Sequence, residues 1–261
     1  MFVRNETFYS FTRNYPVITV LLATHLGLFL LVSLGQWGIF PPGLWIEYYF
    51  IGYNFLIAQG EWWRLLTPIV LHLGLQHVLF NSFALFLFGP ALEQMLGKVK
   101  FISIYFLTAV IANIATFLLQ GLQYSHVGAS GAIYGLLGLY LYMIIFRKEL
   151  LDPQSRQVVT IILIIGIVMT FLVPGINVLA HLIGALSGVV LAPLFLQNVR
   201  PFIPIQRVPP PKDDGSPQFN PNRWKNKRRV GPGKNGSFIA NALGVIFIVL
   251  VIVGILANLF I

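Results

Sequence analysis

The chain reads as an all-α, polytopic membrane protein, a bundle of helices with lipid as its solvent. Of its 261 residues, 57% are hydrophobic and only 10% are charged. Uncharged apolar runs recur along it, each close to the roughly 20 residues that a helix needs to cross a bilayer. Lys and Arg gather in alternate segments between those runs, as the positive-inside rule requires of a multi-pass protein.

Residues 1–15, with Arg4 and Arg13, form an N-terminal segment. The run 16–35 is the first expected span; Ser33-Leu34-Gly35 loosely resembles a signal cleavage site, but the apolar run before it is long for a signal peptide. Residues 36–66 form an outer loop that carries Trp37, Trp45, Trp62, Trp63, Tyr48, Tyr49 and Tyr53, aromatics of the kind that settle at the headgroup boundary. Further spans are expected at 75–96, 101–121, 130–146, 157–173 and 178–196, completing a six-span core over 16–196. Residues 197–237 are rich in Pro, Gly, Lys and Arg and bury too little apolar surface to pack, so they read as a basic linker. A seventh span is expected at 238–260.

With the N-terminus in the cytoplasm, sixteen of the seventeen Lys and Arg residues fall on the inner side, and only Arg64 falls outside. The net charge of +9 is therefore a topology signal and gives no reason to expect nucleic-acid binding. The partner it implies is the lipid bilayer, with the C-terminus external. The linker's basic cluster can also touch anionic headgroups, although retaining the linker inside is explanation enough. There is no cysteine, hence neither disulfide nor thiol chemistry. The two halves show no repeat of the kind that marks many transporters.

Polar side chains inside spans are functional candidates by default. Ser130 opens the fourth span, and His181 lies about one turn inside the sixth, at the same outer depth. His77 and Asn81, four residues apart and so on one helix face, stand near the outer end of the second. Gly131, Gly135 and Gly138 in one span and Gly184 and Gly188 in the other have the small-residue spacing that lets helices pack closely. Alone, that pattern reports packing; the matching depth of His181 points to chemistry.

A serine at a helix start has unpaired backbone N–H groups beside it that favour an anion, so Ser130 is placed for acyl transfer with His181 as its base. His77 and Asn81 are candidate oxyanion donors. The aspartates, Asp152, Asp213 and Asp214, all lie outside the spans, so the expected site is a dyad. Tyr134, one turn after Ser130, reads equally as a ring stacked on the imidazole or as an ordinary buried aromatic. No histidine is followed by Glu, which removes the zinc-protease motif; the spans also lack the aspartates of an aspartyl protease and the lysine of a Ser-Lys dyad. His72 reads as a water-retaining or a structural residue, His126 as a solvated loop residue, and Trp63-Arg64 as an interfacial anchor.

Taken together, Trp63-Arg64, His77-Val78-Leu79-Phe80-Asn81, Gly128-Ala129-Ser130-Gly131-Ala132-Ile133-Tyr134-Gly135 and Ala180-His181 with Gly184 and Gly188 resemble the rhomboid family of intramembrane serine proteases. The resemblance covers 16–196. It implies that Ser130 is the nucleophile, His181 the general base, and His77, Asn81 and the Ser130 amide the oxyanion site. Tyr134 would pack on His181, and Gly128 would supply flexible backbone beside the nucleophile. It further implies single-span membrane proteins as substrates, cut in or near the outer leaflet, with no metal or cofactor. Span 238–260 resembles the extra helix of six-plus-one members. The competing class is a non-catalytic rhomboid-like protein that binds membrane helices for quality control, whose members typically lack the dyad present here. The expected location is the cell membrane of a bacterium.

Overall fold

A computed structural model of the chain describes Phe2 and residues 6–202. The expected seventh span and all but the first residues of the expected linker lie outside the described residues.

The long helices follow the apolar runs. They are α2 (Pro16–Gln36), α5 (Leu75–Leu96), α6 (Lys98–Leu119), α7 (Ser130–Phe146), α8 (Pro153–Leu172) and α9 (Val178–Phe195), with a short α1 (Phe8–Asn14) before them. All of these but α1 and α7 are long and apolar enough to cross a membrane; α7 is apolar but has only 17 residues. The protein is an integral, multi-pass helical bundle.

The ends of the helices have local causes. The helix α8 begins four residues before the expected 157 because Asp152 caps it, accepting the Ser155 N–H at 2.9 Å, with Pro153 in the first turn. The expected start of α6 at 101 moves back to Lys98, taking in Lys98 and Lys100. Long lysine stems let such residues belong to a helix while their ammonium groups stay in water, which hydropathy alone reads as loop. The first amides of α2 are held by Glu93 of α5, whose two carboxylate oxygens accept the N–H groups of Val17 and Ile18, each at 2.9 Å. A carboxylate at a helix N-terminus satisfies donors that have no partner within the helix.

The helix α7 is the centre of the bundle, and its glycines are why. A β-carbon on Gly135 would lie 2.2 Å from Thr108 Oγ1 of α6, and one on Gly138 would lie 2.1 Å from the Ala185 carbonyl oxygen of α9. From the other side, a β-carbon on Gly184 or Gly188 would strike the carbonyl oxygen of Gly131 or Gly135 at 2.4 or 2.0 Å. The backbones of α7 and α9 therefore touch directly and run parallel, while α6 runs antiparallel to α7.

Residues 36–66 form a structured loop. It holds α3 (Pro42–Phe50), α4 (Asn54–Ala58), a 3₁₀ turn over Trp62–Leu65, and β1 (Gly52–Tyr53). The strand β1 pairs antiparallel with β2 (Ser125–His126), so that Gly52 faces His126. This ribbon ties the loop to the segment leading into α7. Trp62 and Trp63 are exposed as expected of anchors, but Arg64 is 0% exposed. Its guanidinium donates to the carbonyls of Tyr48 and Ile51 at 2.6 and 2.8 Å and to Glu61 at 2.5 Å. Arg64 is thus an internal staple of the loop, a role that interfacial anchoring does not describe.

Candidate active site

The turn entering α7 is gripped from three sides. Gly128 donates its N–H to the Pro68 carbonyl at 2.8 Å, and Ala129 donates to His72 Nε2 at 3.3 Å. Gly128 has φ +115°, a conformation open to glycine and strained for other residues, and a β-carbon there would lie 2.4 Å from His77 Nε2 and 3.5 Å from Asn81 Nδ2. The side chains of His77 and Asn81 therefore both face the backbone just before Ser130. With the Gly128 and Ala129 amides already engaged, the unpaired donors at this end of α7 begin with the Ser130 N–H.

The sixth-span histidine is placed by a cap. Asn177 Oδ1 accepts the Ala180 N–H at 3.0 Å, while its Nδ2 donates to Thr116 Oγ1 of α6 at 3.0 Å. His181 is the fourth residue of α9, on the turn that lies against the first turn of α7, where Gly184 abuts Gly131. The structure therefore brings the Ser130 and His181 turns together. Asn177→Ala is expected to cost about 1 kcal/mol, the usual worth of an N-cap, read as a lower midpoint in thermal unfolding.

Tyr134 resolves its two readings. Its ring stacks on that of His181, with centroids 4.0 Å apart and planes 16° from parallel. Sequence reasoning missed the group beside Nδ1 of the imidazole. Thr170 of α8, buried to 2% exposure, sits 2.8 Å from His181 Nδ1 and 2.9 Å from the Tyr134 hydroxyl. A threonine in an apolar helix gives no signal of its own, and the expected dyad included no third group beside His181.

His25 and His72 are buried side by side. The ring of His25 is buried, with its Nε2 3.3 Å from the Tyr105 hydroxyl and its centroid 4.6 Å from that of His72. Burial first, and neighbouring His25 and His77 second, push the His72 pKa down to about 2, so it is the neutral ring that accepts the Ala129 N–H. His126 is not a solvated loop residue. It packs on Gly52 across the ribbon, and burial lowers its pKa to about 4. Among the described residues no group of His, Cys, Asp and Glu is placed to hold a metal ion.

The Rhomboid domain family model matches residues 59–198, more than half of the chain. The chain belongs to the rhomboid family. It is 46% identical over 198 residues to YdcA of Bacillus subtilis (strain 168), a rhomboid-family protein, covering 76% of this chain and 98% of that one. It is 42% identical over 135 residues to the rhomboid protease GluP of the same organism, covering 52% of this chain and 26% of GluP. The Rhomboid-like protease 1 of Toxoplasma gondii is 30% identical over 178 residues, covering 67% of this chain and 57% of the relative. The matched region of this rhomboid contains the α5, α7 and α9 residues described above.

Proposed function

We propose that this rhomboid is an intramembrane serine endopeptidase that cleaves single-span membrane proteins in or near the outer leaflet. The observation that carries the reading is the juxtaposition of the first turns of α7 and α9, with the Tyr134 ring stacked on His181. Relatives named as proteases support it. The orientation follows the charge distribution, with the N-terminus cytoplasmic and the C-terminus external, in the cell membrane of a bacterium.

Ser130 Oγ attacks the substrate carbonyl while His181 Nε2 takes its proton. The tetrahedral oxyanion is held by the Ser130 amide, His77 and Asn81, where each donor is worth about 10²–10³ in rate. His181 returns the proton to the leaving amine, the C–N bond breaks, and water then releases the acyl group by the same route. Depth and water access follow from length. A 17-residue α7 spans only about 25 Å, roughly one turn short of the hydrocarbon core. Arg147 follows its last residue and donates to the Leu196 carbonyl, which sets that end at the polar boundary. The shortfall therefore falls at Ser130, so its hydroxyl lies nearer the outer water than a full-length span would put it.

A fluorophosphonate probe applied to the reconstituted protein tests the reading. Labelling mapped to Ser130 and lost in His181→Ala is the expected result; labelling that is absent, or that persists in Ser130→Ala, refutes it.

A further inference from the structure

We propose that Thr170 is a positioning residue that sets the tautomer of His181, using a neutral hydroxyl where a soluble serine protease uses a carboxylate. The inference rests on the reading of Ser130 and His181 as nucleophile and base, and deepens it.

Counting protons around one oxygen decides the arrangement. Thr170 Oγ1 makes three close contacts: the Gly166 carbonyl oxygen at 2.8 Å, His181 Nδ1 at 2.8 Å and the Tyr134 hydroxyl at 2.9 Å. A threonine hydroxyl has one proton to give and two lone pairs to receive with. The carbonyl of Gly166 can only accept, so the Thr170 proton goes there. The remaining two contacts must then be donated to Thr170, one by the Tyr134 O–H and one by His181 Nδ1–H.

This assignment satisfies every group in the cluster, and it leaves the neutral imidazole with its lone pair on Nε2. That is the tautomer a base needs. The alternative turns the Thr170 proton toward Nδ1, which moves the ring proton to Nε2 and blocks the base. It also leaves two oxygens facing each other at 2.8 Å with no proton between them. Control of the ring is split between two helices, Tyr134 fixing its plane from α7 and Thr170 fixing its proton from α8.

The use of a hydroxyl fits the solvent. A carboxylate buried in an apolar bundle carries a heavy desolvation penalty, which a threonine avoids. When Ser130 gives its proton to Nε2, the ring becomes an imidazolium, and the Nδ1–H bond to Thr170 becomes charge-assisted and stronger. Thr170 gains and loses no proton in the step.

The test uses the full chain in liposomes with a fluorogenic single-span substrate, comparing wild type with Thr170→Val and Thr170→Ser. Thr170→Val keeps the shape and removes the hydroxyl. It is expected to lower kcat by about 100-fold, within the range of a general-base contribution, with KM within twofold of wild type and fluorophosphonate labelling slowed in step. Thr170→Ser restores both rates to within a few-fold. Unchanged kcat in Thr170→Val, or equal losses in the Val and Ser variants, overturns the proposal. Nitrogen-15 shifts of histidine-labelled wild type, with His181 assigned through His181→Gln, give a readout that needs no stable variant. Protonation at Nδ1 supports the proposal and protonation at Nε2 overturns it. A wild type that neither cleaves nor labels refutes the protease reading, and the nitrogen shifts then decide the tautomer by themselves.

Discussion

Ser130→Ala will lower cleavage of a single-span membrane substrate by about 10⁶-fold while leaving the protein folded. The chemical loss is large because acyl transfer to the enzyme needs an oxygen nucleophile at that point and alanine has none. The structural cost is small. Ser130 is only half-buried and caps no other helix, and the contacts that join α7 to α9 at this end are made by Gly131 and Gly184. Loss of activity with an unfolding midpoint within a degree or two of wild type is therefore the expected pair of results. His181→Ala will match it in activity, because single and joint removal of a cooperating nucleophile and base cost about the same. Undiminished cleavage by either variant sinks the catalytic assignment.

Gly188→Ala will destabilise the bundle by more than the roughly 1–3 kcal/mol of an ordinary overpacked core. The added carbon would lie 2.0 Å from the Gly135 carbonyl oxygen, and a backbone atom cannot rotate away as a side chain can. The helices must separate or slide, which also disturbs the turn that holds His181 against Tyr134. Gly27→Ala in α2 is the matched control, since a β-carbon there has no neighbour within 4 Å. Thermal unfolding in detergent should show a large fall for the first and little change for the second. Equal midpoints would mean that the contact between α7 and α9 does not hold the bundle together.

How much of the fold and the site is legible in the amino-acid order depends on what kind of signal each residue carries. The helices from α2 to α9 that follow apolar runs are readable because lipid demands about 20 uninterrupted apolar residues, and a one-dimensional requirement leaves a one-dimensional trace. The differences at their ends, at Lys98 and Pro153, arise where long polar stems and a cap extend a helix beyond its apolar stretch. Ser130, His77, Asn81 and His181 stand out because polar groups are rare in such runs. Thr170 does not, since threonine is common in membrane helices and its value lies in which atoms surround it. Arg64 misleads for the opposite reason. Its position beside two exposed tryptophans reads as surface, and only the fold of 36–66 around its guanidinium makes it internal.

The amino-acid order by itself determined the membrane class, the alternation of sides and the short list of chemically capable side chains, because hydropathy and charge act locally along the chain. Tertiary structure alone decided which helix turns lie together and which groups surround the His181 ring. Proximity between helices is set by backbone contacts such as Gly131 with Gly184, and the surroundings of His181 by the Tyr134 ring of α7 and the Thr170 hydroxyl of α8, groups far apart in the chain.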